Sequence, residues 1–270
     1  MMRGPELRAS IVIPAFNESG SIKHVVDGFA AIAGEYEIIV INDGSTDGTR
    51  EILDGMPGLK VIHHGENLGY GASLMTGIRE ARADIIVTFD ADGQHDHNDV
   101  LRLLEEIGDC AMVVGARTSG SYFDARRTIG RTILSAIANF WTGSRIPDVN
   151  SGLRAFRRSE VLRYAAVLPS GFSFTTTLTL VTLKEKYPVR FVPIVTRERV
   201  GRSTFRRLGH GLIVLRGVLR LMALFHFSGR LSQKPSISPV GSASSPGSGP
   251  GPVRQSASQS RVVSPNDKSL

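Results

Sequence analysis

The stretch "DIIVTFDADGQHDHND", residues 84–99, places an apolar run directly in front of a cluster of acidic, amide and imidazole side chains. The run has the length and composition of a buried strand, and Asp90, Asp92 and Gln94 follow it at intervals of two residues. Alternate residues of an extended segment share a face, so these three oxygen-bearing side chains converge. Carboxylate and amide oxygens suit Mg²⁺ or Mn²⁺, which keep coordination positions free for substrate phosphates. We therefore predict a divalent-metal site that holds a diphosphate at the tip of this strand.

A simpler interpretation of the same stretch is a solvated acidic turn in which Asp96 or Asn98 caps the next helix. A bare pair of aspartates one residue apart is common by chance, so the position after a buried strand is what favours the metal site. The two histidines, His95 and His97, are interpreted as turn residues rather than ligands.

Apolar strand-like runs alternate with helix-like segments on both sides of this stretch, between residues 10 and 116. The predicted strands are 10–16, 36–43, 59–64, 84–90 and 111–116, and the predicted helices are 20–33, 47–54, 70–82 and 97–107. Near-continuous apolar strands separated by helices predict an α/β fold with a Rossmann-like, mostly parallel sheet covered by helices on both faces. Ligands of such sheets bind beyond the carboxyl ends of the strands, so we expect the site there.

The C-terminal half shows a less regular pattern. Residues 126–142 and 174–186 are predicted helices, and residues 189–195 are a predicted strand. Pro193 lacks an N–H donor, which favours an edge position for that strand. The stretch at 145–159 is interpreted as turn-rich and then basic.

Residues 204–230 are predicted to form an amphipathic helix. Arg206, His210, Arg216 and Arg220 fall within one arc at 100° per residue, and a leucine-rich face lies largely away from it. Such a helix favours the membrane interface, with ordinary packing on its own domain as the alternative. We accordingly predict a catalytic domain at 1–203, an interfacial helix at 204–230 and a disordered tail at 231–270, which is rich in Ser, Pro and Gly.

Charge and cysteine content narrow the class of protein. The chain of 270 residues carries a formal net charge of +7, which favours anionic partners such as phosphorylated molecules or lipid head groups. Nucleic acid is not expected, because the acids cluster at the candidate site and aromatic residues make up only 7%. One cysteine indicates a reducing compartment, and neither a signal peptide nor a membrane-spanning run is recognised. We expect a cytoplasmic protein held peripherally at the inner face of the membrane.

Two further motifs follow predicted strands. Asp43 ends the second strand in "INDGSTDGT", where its carboxylate can accept from a base N–H or a ribose hydroxyl, and Asp47 can cap the next helix. The glycine-rich "NLGYGASLMTGI", residues 67–78, opens a helix, and its backbone N–H groups are a weak candidate for binding phosphate.

These motifs, taken together, resemble a known family. "SIVIPAFNE", "EIIVINDGSTDGT", "NLGYGASLMTGI", "DADGQH", "GART" and "DVNSGLRAF" cover most of residues 10–155. In this order they resemble the family 2 glycosyltransferases of the GT-A fold, and within them the polyprenyl- and dolichol-phosphate mannosyltransferase branch. The resemblance implies a nucleotide-sugar donor, a polyprenyl phosphate acceptor and a Mg²⁺ or Mn²⁺ ion.

The resemblance also implies roles for individual residues. Those expected at the nucleotide are Pro14, Ala15, Glu18, Asp43 and Asp90, and those expected at the metal are Asp90, Asp92 and Gln94. Those expected at the acceptor phosphate are Arg117, Arg131, Ser135, Arg154 and Ser203. Those expected to act in catalysis are Asp92, Asp148, Arg117, Arg131 and Arg202, with Arg202 in a segment that closes over the diphosphate, and Ser151 flanks the reacting centre.

The implied chemistry is an inverting displacement at the anomeric carbon. A phosphate acceptor is largely dianionic at neutral pH and does not strictly need a general base, although Asp148 remains a candidate for one. Members of the branch usually carry an acid in the helix after the "GF" turn, where this chain has Thr175, Thr176 and Thr177, so that acid's role is not carried over. The sequence does not identify the sugar or the nucleotide. It also leaves open the alternative that the acceptor is a saccharide, a protein or another lipid.

Overall fold

The computed structural model describes residues 7–30, 35–118, 120–121, 125–200, 216–223 and 225, and for residues 125–133 it describes the backbone alone. The strands are β1 (Ala9–Ala15), β2 (Tyr36–Asn42), β3 (Lys60–His63), β4 (Ile85–Thr88), β5 (Met112–Arg117), β6 (Arg154–Arg157) and β7 (Val189–Ile194). The helices are α1 (Ile22–Asp27), α2 (Thr49–Asp54), α3 (Tyr70–Glu80), α4 (His97–Glu106), α5 (Ala125–Thr142), α6 (Arg158–Arg163) and α7 (Phe174–Lys184).

The strands form one seven-stranded sheet in the order β3-β2-β1-β4-β6-β5-β7. β6 runs antiparallel to both of its neighbours, β4 and β5, and the other pairings are parallel. The predicted mostly parallel α/β sheet is therefore confirmed. β7 lies at the edge of the sheet, as Pro193 indicated, because it pairs with β5 alone among the described strands.

Two apolar layers cover the two faces of the sheet. Alternate residues of the buried β1 strand point to opposite layers, with Val12 in one and Ile11 and Ile13 in the other. Helices α3, α5 and α7 pack on the first face, and helices α1, α2 and α4 pack on the second. This arrangement holds β1, β2 and β4 rigidly, so the loops at their carboxyl ends start from fixed positions.

The five N-terminal strands and the helices between them lie where the sequence predicts them, although α1 ends at Asp27, earlier than predicted. The interpretation of 145–159 as turn-rich and then basic did not include the strand that forms in its basic part. There β6 ("RAFR") is inserted between β4 and β5, with Arg154, Ala155 and Phe156 almost fully buried. This short central strand begins and ends with arginine, so its apolar pattern was too weak to predict a strand.

Only part of the predicted interfacial helix lies within the described residues. Residues 216–223 are helical, with Arg216 and Arg220 exposed, but Val218, Leu221 and Phe225 are buried in the same layer as α5 and α7. Here the alternative of packing on the chain's own domain holds for these three apolar side chains, whereas Leu219 on the same segment is exposed. Residues 204–215 and the tail at 231–270 lie outside the described residues. No helix in the described part of the chain is long and apolar enough to cross a bilayer.

Candidate active site

A cavity of about 440 Å³ opens at the carboxyl ends of β1, β2 and β4. It receives all seven residues that were predicted for the nucleotide and the metal: Pro14, Ala15, Glu18, Asp43, Asp90, Asp92 and Gln94. Its wall is completed by residues that include Tyr70, Asn150, Gly152, Phe172, Thr175 and Arg199. The expectation that polar residues after separate strands meet at one edge of the sheet is confirmed.

The two strand-tip aspartates share this cavity, and each has protein partners. Asp90 accepts a hydrogen bond from the Tyr70 hydroxyl at 2.8 Å and lies 3.5 Å from Nε2 of His95. Asp92 accepts from the backbone N–H of Gln94 and lies 3.3 Å from a guanidinium nitrogen of Arg199. Burial raises the pKa of Asp92, and the charge of Asp90 raises it further. Burial also favours a higher pKa for Asp90, but the interactions with His95, Tyr70 and Arg117 together outweigh it and lower that pKa.

The donor set fits a hard divalent cation. Two carboxylates that are one residue apart, the half-buried Asp90 and the buried Asp92, concentrate negative charge in the cavity. Gln94 donates its amide N–H to the carbonyl of Arg197, which fixes the side chain and leaves the amide oxygen as a ligand. The described residues contain no cluster of three or more His, Cys, Asp or Glu side chains suited to a metal. Asp90, Asp92 and Gln94 would supply three oxygen-bearing side chains, so a metal held there would take its remaining ligands from phosphate and water.

The alternative interpretation, a solvated acidic turn that caps the next helix, holds for Asp96 but not for Asp92. Asp96 caps α4 by accepting from the N–H of Asn98, whereas Asp92 is 8% exposed. Nε2 of His97 donates a hydrogen bond to the backbone carbonyl of Val25 on α1. His95 is buried beside Asp90 rather than lying in an open turn.

Arg199 is a cavity residue that the sequence interpretation missed. Its guanidinium bridges two elements, with one nitrogen bonded to Glu18 in the loop after β1 and another near Asp92 after β4. Its Nε is buried and has no hydrogen-bond partner within the described part of the chain. The available signal was the run of arginines after the last strand, but the resemblance directed attention to Arg202. Arg202 and Ser203 lie outside the described residues.

Glu18 is a cavity carboxylate with an altered titration. Burial raises the pKa of Glu18 from 4.5 to about 7, although Arg199 and a hydrogen bond from Ser21 act in the opposite direction. A carboxyl group with this pKa changes its charge within the physiological range.

Asp43 lies at the floor of the cavity and is 3% exposed. Its carboxylate accepts from Nδ1 of His64 at 2.7 Å and from the backbone N–H groups of Leu68 and Gly69 at 3.0 and 2.9 Å. Two N–H groups of the glycine-rich segment therefore bind Asp43 and not a phosphate, which corrects the weak prediction made for that segment. Asp47 bonds to the N–H of Thr49 at the start of α2, as its capping role required.

Asp148 and Arg117 form a bidentate ion pair next to the cavity. Nε and Nη2 of Arg117 lie 2.6 and 3.0 Å from the two carboxylate oxygens, and Asp148 is 2% exposed. Burial tends to lower the pKa of Arg117, but the hydrogen bond to Asp148 and the charges of Asp148, Asp90 and Asp92 together outweigh it and raise that pKa. A carboxylate bound on both oxygens is a poor proton acceptor, so this geometry argues against Asp148 as a general base. It is suited instead to holding Arg117.

Arg154 requires a correction, because it does not reach a ligand. It is fully buried in β6, and its three guanidinium nitrogens donate to the carbonyls of Ser151 and Val149 and to the Thr179 hydroxyl. Burial lowers its pKa to about 10. With its donors used inside the protein, Arg154 stabilises the loop before β6 and is not available to an acceptor phosphate. Ser135 is half-buried on α5, and for Arg131 only the helical backbone position is described.

Comparison with known proteins agrees with this geometry. The profile of Glycosyl transferase family 2 matches residues 10–163, which is more than half of the chain. The chain belongs to glycosyl transferase family 2. The GT-A-like fold agrees with solved structures of glucosyl-3-phosphoglycerate synthase from Mycobacterium tuberculosis. The structure with Mn²⁺, uridine diphosphate and phosphoglyceric acid superposes with a TM-score of 0.65 at 22% identity, covering 79% of this chain and 78% of that one.

Several curated relatives of this family 2 glycosyltransferase are polyprenyl-phosphate enzymes. UDP-N-acetylglucosamine–dolichyl-phosphate N-acetylglucosaminyltransferase of Methanococcus voltae is 30% identical over 213 residues, covering 69% of this chain and 84% of the relative. Polyprenol monophosphomannose synthase of Mycolicibacterium smegmatis is 29% identical over 211 residues, covering 72% and 79%. Undecaprenyl-phosphate mannosyltransferase of Micrococcus luteus is 28% identical over 212 residues, covering 72% and 85%.

The threonines that replace the usual acid of the branch are buried at the start of α7. Thr175 lines the cavity, and the Thr176 hydroxyl donates to the side-chain oxygen of Asn150, another cavity residue. In this glycosyltransferase a neutral hydrogen bond therefore positions Asn150 next to the loop that Arg154 stabilises.

Proposed function

We propose that this chain transfers a sugar from a nucleotide sugar to the phosphate of a polyprenyl phosphate, with inversion at the anomeric carbon. The observation that carries the proposal is the pair of carboxylates, the buried Asp92 and the half-buried Asp90, in a cavity at the carboxyl ends of the strands. The names of the relatives from Methanococcus voltae and Mycolicibacterium smegmatis support the acceptor class. In the reaction the bond between the anomeric carbon and the diphosphate breaks, and a bond to an acceptor phosphate oxygen forms.

Asp90, Asp92 and Gln94 would hold Mg²⁺ or Mn²⁺, which when bound would offset negative charge on the departing nucleoside diphosphate. Neighbouring solved structures that contain Mn²⁺ or Mg²⁺ with uridine diphosphate support the choice of cofactor. Arg199 contributes positive charge beside Asp92 in the cavity, and Arg202 is proposed to act in the same direction.

The acceptor is proposed to lie on the Arg117 side of the cavity. Asp148 fixes the guanidinium of Arg117, which reduces the entropy lost when it binds a phosphate. Arg131, Ser135 and Ser203 remain proposed acceptor contacts. Because a phosphate monoester has a second pKa of about 6, no side chain has to remove a proton from it at neutral pH.

Transfer to a panel of acceptors tests the proposal. The full chain would be incubated with UDP- and GDP-linked sugars and a short polyprenyl phosphate, with and without a chelator. We expect a sugar–phosphate–lipid product that disappears with the chelator, and no product with the matched polyprenol that lacks the phosphate. A product formed only with a saccharide, a protein or a soluble phosphorylated acceptor would contradict the prenyl assignment and leave the transferase class intact.

We further propose that the protein lies in the cytoplasm and binds peripherally to the inner face of the membrane. Phe140 on α5 is 89% exposed and Leu219 is 53% exposed, and Arg216 and Arg220 are exposed on the same helical segment as Leu219. Exposed apolar side chains beside arginines suit an anionic lipid surface. Co-sedimentation with anionic liposomes should fall in a Phe140→Ser/Leu219→Ser double variant of the full chain. Equal recovery in the lipid pellet would contradict this face as the contact.

A further inference from the structure

The hydrogen-bond partners of Asp43 leave the carboxylate with little spare capacity. A carboxylate has about four lone-pair positions, two on each oxygen. Oδ1 accepts from Nδ1 of His64 and from the N–H of Leu68, and Oδ2 accepts from the N–H of Gly69. Among the described residues, these donors leave one acceptor position, on Oδ2, for a ligand in the cavity that Asp43 lines.

His64 fixes this arrangement from the end of β3. Its Nδ1 must carry the proton, because its partner Asp43 is a carboxylate, and its Nε2 lies 3.0 Å from the Thr76 hydroxyl on α3. The backbone N–H of His64 also donates to the carbonyl of Asn42, the residue before Asp43. With both ring nitrogens bonded, the imidazole is locked, and it holds Oδ1 away from any ligand.

The backbone on both sides of the carboxylate is equally constrained. Gly44 has a φ of +69°, and a Cβ placed there would lie 2.5 Å from backbone of Glu66. Gly69 has a φ of +102°, and a Cβ there would lie 2.7 Å from the carbonyl oxygen of Ser170. These close approaches keep the donors of the loop on Asp43, so the carboxylate cannot turn to offer both oxygens without losing several hydrogen bonds.

Nucleobases differ in how many donors they present to a carboxylate. Guanine offers two adjacent groups, the ring N1–H and the exocyclic amine, and these require one free acceptor position on each oxygen. Uracil offers a single ring N3–H, which is a more acidic donor than the exocyclic amines of cytosine and adenine and bonds more strongly to a charged acceptor. We infer that Asp43, positioned by His64, selects uridine nucleotides over guanosine nucleotides as the donor carrier. The inference rests on the proposed function and names the nucleotide that this function leaves open.

Binding of unmodified nucleotides tests the inference. Calorimetric titration of the full chain with UDP, GDP, CDP and ADP, each with Mn²⁺, should give the tightest binding for UDP, by roughly tenfold or more over GDP. GDP, CDP or ADP binding as tightly as UDP would overturn the inference while leaving the transferase proposal intact. Failure of every nucleotide to bind would overturn the proposed function together with the inference.

Variants of His64 separate its positioning role from a general structural one. His64→Ala frees a position on Oδ1, so the ratio of UDP to GDP affinity should fall several-fold, whereas His64→Asn supplies an amide N–H near the original Nδ1 and should restore it. His63→Ala is the matched control, because the His63 ring bonds to Asn42 and Asp54 and not to Asp43. An unchanged ratio in a folded His64→Ala variant, or an equal fall in His63→Ala, would overturn the role of His64.

Discussion

At the scale of single residues, Gly152 shows how closely the site is packed around its carboxylates. A Cβ at this position would lie 2.1 Å from Oδ2 of Asp90, so Gly152→Ala must move Asp90 or the loop before β6. Because displacements of about 1 Å cost roughly 100-fold in rate, turnover should fall by about that factor, measured as initial rate at saturating donor. Gly20→Ala is the control, since a Cβ there would meet no atom of the described residues within 4 Å. Equal rates in the two variants would contradict the placement of Asp90.

The raised pKa of Glu18 predicts how the free energy of unfolding changes with pH. Its folded pKa of about 7 exceeds the ordinary 4.5, so the folded state holds a proton that the unfolded state releases. Proton binding at Glu18 therefore stabilises the folded state. This contribution is fully present below pH 4.5 and is lost as the pH rises to 7. Glu18→Gln lacks this loss, so its free energy of unfolding relative to wild type should rise between pH 5 and pH 8, by on the order of 2 kcal/mol. Urea denaturation without metal or nucleotide would measure it, and a difference that does not change with pH would refute it.

The positions of individual arginine side chains, buried or in the cavity, could not be predicted from the sequence. Asp90, Asp92 and Asp43 were found because strand ends meet at one edge of a sheet, and that rule depends on local pattern alone. Arg154 and Arg199 look alike in the sequence, since both lie in basic stretches. One is buried in a central strand and the other bridges Glu18 and Asp92, and only contacts between distant segments decide which.

At the scale of elements, the close approach of α3 to the sheet depends on Gly77. A Cβ at this position would lie 2.4 Å from Cγ1 of Val12 and 2.8 Å from Cδ1 of Ile41, two side chains of the core. Gly77→Ala should lower the free energy of unfolding by about 1–3 kcal/mol, despite the better helix propensity of alanine. Gly55→Ala, whose Cβ would make ordinary contacts of 3.5 Å, should be close to neutral by the same denaturation assay. A neutral Gly77→Ala would show that α3 can move away from β1.

Long apolar runs made the first five strands predictable, because a strand buried on both faces needs no alternation of polar residues. β6 lacked this signal, since it has four residues and begins and ends with arginine. The amphipathic pattern around residue 220 correctly indicated a helix. The pattern could not say whether protein or lipid covers the apolar side, because both surfaces are apolar.

At the scale of the whole molecule, the sheet brings three loops and the segment after β7 around one cavity. The loops after β1, β2 and β4 supply the carboxylates, and Arg199 closes the cavity from the C-terminal side. Negative charge inside this cavity contrasts with the net charge of +7 of the chain. The contrast suits an enzyme that binds a cation within the cavity and anionic partners around it.

The central claim is that Asp90 and Asp92 hold a divalent cation against a nucleoside diphosphate. Titration of Mn²⁺ in the presence of UDP, followed by electron paramagnetic resonance of the free ion, measures this directly in wild type and in Asp92→Asn. We expect one Mn²⁺ bound per wild-type chain and an affinity at least about tenfold lower in the variant, with its thermal unfolding transition retained. Equal Mn²⁺ binding by the wild type and a folded Asp92→Asn variant would contradict the account.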